Sequence, residues 1–267
     1  MLVDVRNLTI RFGSRTVVDD VSFSLDAGHR LGIIGESGSG KTLTSLALIG
    51  LLPDTATVTG SVLFDGKEMI GASDRELSAL RGNSIGMVFQ EPLTALNPLM
   101  RVGKQIGLPL RTHRGLNKQA SLAKATELCA RVGLPDPERI IRSYPHQLSG
   151  GQRQRIGLAI ALACSPRLLI ADEPTTALDV TVQKEVLALI GELVREEGSA
   201  LVFVSHDLPV VSSMTDRVAV MNQGQIVELA NVRALFSHAS HEYSRMLVRT
   251  ARQSDEDLAG LTTGENQ

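Results

Sequence analysis

The sequence predicts an α/β protein with a mostly parallel sheet, an antiparallel β lobe and an inserted helical subdomain, and three observations lead there. Short, wholly apolar segments at 168–171 and 200–204 are separated by a helix-like run at 182–196, and such strands belong to parallel sheets covered on both faces. Residues 35–42 read G-E-S-G-S-G-K-T between the apolar run 30–34 and the helix-forming run 43–49, an order of strand, tight loop and helix. Residues 1–34 instead alternate apolar and polar side chains, the pattern of half-buried antiparallel strands.

In chain order, Val3, Val5, Leu8, Ile10 and Phe12, then Val21, Phe23 and Leu25, carry that alternation, with Gly13-Ser14 and 26–28 as turns. Residues 60–67 read as a further strand and turn of the same lobe. From about 91 the texture changes to the Leu/Ala/charge periodicity seen at 118–132, broken at Pro and Gly. That predicts helices, and with the helix-like stretch from Ser149 to Ala163 the insert extends to about residue 165. One domain is expected over 1–248, followed by a polar, flexible tail over 249–267.

Composition narrows the class. The chain has 267 residues, 43% hydrophobic and 21% charged, with a formal net charge of −2. That is a globular balance without the basic field of a nucleic-acid binder. Cys129 and Cys164 have no C-x-x-C spacing, so neither a disulfide framework nor a zinc site is predicted, and a reducing compartment fits. The first residues include Asp4 and lack an apolar core of signal-peptide length, so the chain is expected to stay in the cytoplasm. The apolar stretch 156–171 is broken by Ser165-Pro166-Arg167 and is too short to cross a bilayer. A membrane role would come through a partner.

The chemistry lies in three short segments. In the loop 35–42, glycines let backbone N–H groups turn onto a polyphosphate at the start of a helix. Lys41 would reach the β and γ phosphates, and the Thr42 hydroxyl would ligate Mg²⁺. On this loop alone, GTPases, kinases and ATPases all remain open. The strand at 168–171 ends in Asp172-Glu173; the first acid suits Mg²⁺ support and the second can polarise a water. Ser149, Gly150, Gly151 and Gln152 open a helix as a second anion receptor, with one hydroxyl and exposed amides.

These segments, in this order, resemble the ATP-binding cassette (ABC) family over residues 1–248. Gly35, Glu36, Ser37, Gly38, Ser39, Gly40, Lys41 and Thr42 are similar to its Walker A loop, Gln90 to its Q-loop glutamine, and 148–152 to its signature. Residues 168–172 are similar to Walker B, Glu173 to the catalytic base, Ala177-Leu178-Asp179 to the D-loop and His206 to the switch histidine. Phe12 sits where the family keeps an aromatic that stacks on adenine. The resemblance implies a P-loop NTPase core that hydrolyses ATP with Mg²⁺ near Thr42, Gln90 and Asp172. It also implies two cassettes closing head to tail, so that Ser149 to Gln152 and Asp179 complete the partner's site.

Residues 90–103, 144–147, 172–183 and 241–245 are similar to ATPases of the oligopeptide, dipeptide and nickel importers. Glu91 stands where that group more often has aspartate. No cysteine follows Cys164, whereas peptide-importer members often carry a cysteine-rich tail for an iron–sulfur cluster, and this tilts slightly toward nickel-type members. The resemblance implies a second cassette, a paralogue, together with permease subunits, a solute-binding protein acting indirectly, and a position on the cytoplasmic face of the membrane. No nucleic-acid partner is expected. The alternative is a soluble accessory cassette ATPase, such as a carbon–phosphorus bond cleavage subunit. A chromosome-maintenance ATPase would need sustained heptads before the signature, and a guanine-specific enzyme N-K-x-D; neither is found. Leu93, Leu96, Leu99 and Met100 are expected to supply part of a permease-docking surface.

Overall fold

A computed structural model describes residues 1–90, 96–176 and 178–263, with side chains through residue 253. Two sheets organise it. The first is wholly antiparallel: β1 (Val3–Phe12) lies between β2 (Arg15–Leu25) and β4 (Ala56–Phe64), and the short β5 (Lys67–Glu68) pairs with β4. This is the expected lobe.

The second sheet has six strands, in the order β10-β9-β3-β8-β7-β6. Here β3 is Arg30–Ile34, β6 Ile85–Val88, β7 Leu168–Asp172, β8 Ala200–Ser205, β9 Arg217–Asn222 and β10 Gln225–Asn231. All neighbours are parallel except the β9–β10 hairpin. Successive side chains of a strand face opposite ways, which explains the unbroken apolar runs. Leu169, Leu201 and Phe203 enter a core cluster shared with the helices. Leu168, Ile170, Val202 and Val204 enter a second one shared with the antiparallel lobe.

The helices are α1 (Lys41–Leu48), α2 (Asp74–Leu80), α3 (Val102–Arg114), α4 (Lys118–Arg131), α5 (Pro137–Ile140), α6 (Gly150–Ala161), α7 (Val180–Glu197), α8 (Leu208–Met214), α9 (Val232–His238) and α10 (Glu242–Thr263). The helical insert is built from α3, α4, α5 and α6, which pack on one another, while α6 also lies on β6. That last contact is close: a Cβ on Gly86 of β6 would sit 2.3 Å from the Ala161 carbonyl oxygen. No helix among the described residues is long and apolar enough to cross a membrane.

The structure adds detail at three places. The boundary expected at 248 falls inside α10, where Val248 and Ala251 are buried. In the segment expected to dock a permease, Leu96 is 2% exposed and belongs to the helix-side core, whereas Leu99 is 88% exposed. Leu93 and Glu91 lie outside the described residues. The hairpin β9–β10 and the helices α2 and α8 had no counterpart in the sequence expectations.

Candidate functional site

Register places the chemistry. Ile34 pairs with Ser205 and Asp172 with Val204, so β3, β7 and β8 end side by side. The loop 35–40, Glu173 and His206, which follow those three ends, therefore emerge from one edge of the sheet. Ligands of open α/β sheets bind beyond such carboxyl ends. A cleft of about 590 Å³ lies there, lined by the loop, Val17, Gln90, Glu173, His206, Tyr243 and Leu247.

Two glycines make the loop possible. A Cβ on Gly35 would lie 2.2 Å from the Met221 carbonyl oxygen, so only glycine lets the loop pass the end of β9. Gly40 caps α1 at φ +99°, a left-handed conformation that other residues adopt at a cost. Lys41, buried at the first turn of α1, donates to the carbonyls of Gly35 at 2.8 Å and Glu36 at 2.9 Å. Burial lowers its pKa, and the charges of Glu173 and Asp172 oppose that shift.

Thr42 Oγ1 donates to the buried Asp172 Oδ1 at 3.4 Å. Burial pushes the Asp172 pKa up to about 6; Glu173 adds to the rise, while the Thr42 hydrogen bond and Lys41 oppose it. Glu173 has φ +44°, and its N–H donates to the Val204 carbonyl at 2.9 Å. Its Oε2 accepts from Thr176 Oγ1 at 3.0 Å and Gln90 Nε2 at 3.3 Å, with His206 Nδ1 at 3.4 Å. Oε1 stands 3.9 Å from Lys41 Nζ. The structure thus gathers Lys41, Thr42, Gln90, Glu173 and His206 around one cleft, with Asp172 buried next to Thr42.

Other expected site residues lie elsewhere. Ser149 caps α6: its Oγ accepts the Gln152 N–H at 3.3 Å and the Gln152 side-chain oxygen accepts the Ser149 N–H at 3.0 Å. Gly150 and Gly151 face the start of α7, where Cβ atoms would meet Leu178 and Val182 at 3.9 and 2.9 Å. Asp179 Oδ1 caps α7 through the Val182 N–H at 3.0 Å, which starts that helix two residues before the expected 182. Neither Ser149 to Gln152 nor Asp179 lines the cleft. Ala177 lies outside the described residues. Phe12 is half-buried against the lobe-side core and is not part of the cleft wall, where Val17 stands instead.

The sequence reading missed Tyr243 and Leu247, which bring α10 to the cleft. The Tyr243 hydroxyl accepts the Glu36 N–H at 3.0 Å. Nothing local could have shown this contact, although 241–245 was already a segment that carried the resemblance.

Fold and cleft together define a P-loop ATPase. Residues 18–176 match the family described as ABC transporter, and the chain belongs to that family. It is 44% identical over 266 residues to the oligopeptide transport ATP-binding protein OppD of Haemophilus influenzae, covering 98% of this chain and 82% of that one. It is 45% identical to the dipeptide transport ATP-binding protein DppD of Lactococcus lactis, covering 98% and 77%. Among solved structures, it resembles the ATP-binding cassette MJ0796, described as a dimer in a post-hydrolysis state bound to ADP and Pi. The TM-score is 0.77 at 30% identity, covering 86% of this chain and 99% of that one.

Proposed function

We propose that the chain is the ATP-hydrolysing subunit of a peptide transporter, and that it closes head to tail with a second cassette around two ATP molecules. One observation carries the reading: a chain holds both halves of a nucleotide site without joining them. The phosphate loop, Glu173, Gln90 and His206 share a cleft, while the Ser149 helix start and Asp179 lie apart from it. A helix N-terminus receives an anion; with the Ser149 and Gln152 amides bonded within the cap, the Gly150 and Gly151 amides and the Ser149 hydroxyl of one chain cap the phosphate held by the partner.

Each residue has work in that arrangement. The loop amides and Lys41 hold the phosphates, and the flexible ammonium trades its carbonyl partners for phosphate oxygens. Glu173 accepts a proton from the attacking water, Gln90 orients that water, and His206 stays beside the carboxylate and the γ-phosphate. Thr42, Asp172 and Gln90 offer the hard oxygen donors that Mg²⁺ prefers. Buried Asp172, whose ionised form has Thr42 as its hydrogen-bond partner, fits a cation at that place. Held by these residues, Mg²⁺ would neutralise phosphate charge. Phe12, at the end of β1, is the aromatic assigned to adenine, and Val17 is the lobe residue that lines the cleft itself.

The relatives named above favour peptide over nickel as the transported solute. Permease subunits hold the chain at the cytoplasmic face, a paralogous cassette completes the dimer, and a solute-binding protein acts through the permease. Exposed Leu99 belongs to the docking surface. The test is ATPase activity against protein concentration: the reading requires specific activity to rise steeply as dimers form, alone or with the paralogue. Activity independent of concentration and partner would contradict it.

A further inference from the structure

The C-terminal helix α10 reaches the phosphate loop through Tyr243, whose hydroxyl accepts the Glu36 N–H at 3.0 Å. The peptide between Gly35 and Glu36 is held from both sides. Its carbonyl, that of Gly35, accepts Lys41 Nζ at 2.8 Å, and its N–H is the one that donates to the phenol. Gly35 has no room to shift toward β9, because the Met221 carbonyl already fills that side. The phenol therefore fixes the plane in which the loop begins.

Tyr243 is itself anchored. It is 9% exposed, and its N–H donates to His241 Nδ1 at 3.2 Å. The N–H groups of Ser240 and His241 donate to the Glu228 carboxylate of β10 at 2.9 and 3.1 Å. Helix α10 also packs on α8, which begins just after His206. One helix thus touches the phosphate loop and the element that follows the switch histidine.

We propose that Tyr243 is a positioning residue for the phosphate loop, through which the C-terminal helix sets nucleotide affinity. A glycine-rich loop loses much conformational freedom when a polyphosphate orders it. A hydrogen bond that orders its first peptide beforehand lowers that cost and strengthens binding without taking part in the chemistry. The inference rests on the reading of the cleft as the ATP site.

Tyr243→Phe keeps the ring and removes the hydroxyl that accepts the Glu36 N–H. It raises KM for ATP, and Kd for a fluorescent ATP analogue, roughly three- to tenfold, the scale of one hydrogen bond. It changes kcat less than about twofold and leaves the melting temperature nearly unchanged, because the ring packing persists. Hydrogen exchange at the Glu36 amide, followed without nucleotide, speeds up by at least the same factor. Unchanged KM and unchanged Glu36 exchange would overturn the proposal. So would a fall in kcat and melting temperature with KM fixed, which would make Tyr243 a packing residue. If the wild-type chain bound no ATP analogue in the same titration, the ATP-site reading itself would fail and take the proposal with it.

Discussion

Leu96 and Leu99 stand three positions apart in a segment rich in apolar side chains, yet substitution separates them. Leu96 is 2% exposed and packs in the helix-side core with Val102 and Ile106. Replacing a buried leucine by alanine costs about 2–5 kcal/mol in lost transfer energy plus a cavity. At about 2–4 °C per kcal/mol for a domain of this size, Leu96→Ala lowers the melting temperature by roughly 4–20 °C. Leu99 is 88% exposed, so Leu99→Ala stays within about 0.5 kcal/mol of wild type. Its loss is seen instead as weaker retention of the permease when the complex is purified from membranes. The assay pairs thermal unfolding of each purified variant with quantitative co-purification. A Leu96→Ala chain that melts like wild type, or a Leu99→Ala chain that retains the permease fully, would refute this division between core and docking surface.

Two other outcomes follow from the geometry. Glu173→Gln keeps the side-chain shape among Gln90, Thr176 and His206 but removes the proposed proton acceptor, so turnover falls roughly 10²–10⁴-fold while ATP affinity stays within severalfold; normal turnover would remove Glu173 from the mechanism. Gly86→Ala drives a methyl to 2.3 Å from the Ala161 carbonyl oxygen at the end of α6, and such overpacking costs about 1–3 kcal/mol. Thermal unfolding measures it, and an unshifted melting temperature would show that β6 and α6 do not meet as described.

What was legible in the sequence was chemistry confined to contiguous residues. The loop 35–42 and the Asp172-Glu173 strand end could be read because strand, turn and helix signals flank the reactive groups directly. The parallel sheet could be read because strands buried on both faces leave unbroken apolar runs. Helix α2 carries a local start signal in the Ser73 and Glu76 capping box, with Glu76 accepting the Ser73 N–H at 2.9 Å, but lacks the long apolar periodicity that marks the longer helices. Leu96 differs from the docking expectation because hydrophobicity states what a residue prefers and not where it ends up: Leu96 is buried and Leu99 exposed. Tyr243 was out of reach for a different reason. Its partner Glu36 is 207 positions away, and only the completed sheet brings α10 to the loop.

The central claim is that ATP joins two cassettes through the cleft of one and the Ser149 helix start of the other. Light scattering on the Glu173→Gln chain, with its natural partner cassette if that is a different polypeptide, tests it most directly. The account predicts a stable dimer with ATP and monomers without it, and it predicts that adding Ser149→Arg abolishes the dimer while each chain still binds ATP. A dimer that forms equally well with Ser149→Arg, or that ignores ATP, would contradict the account.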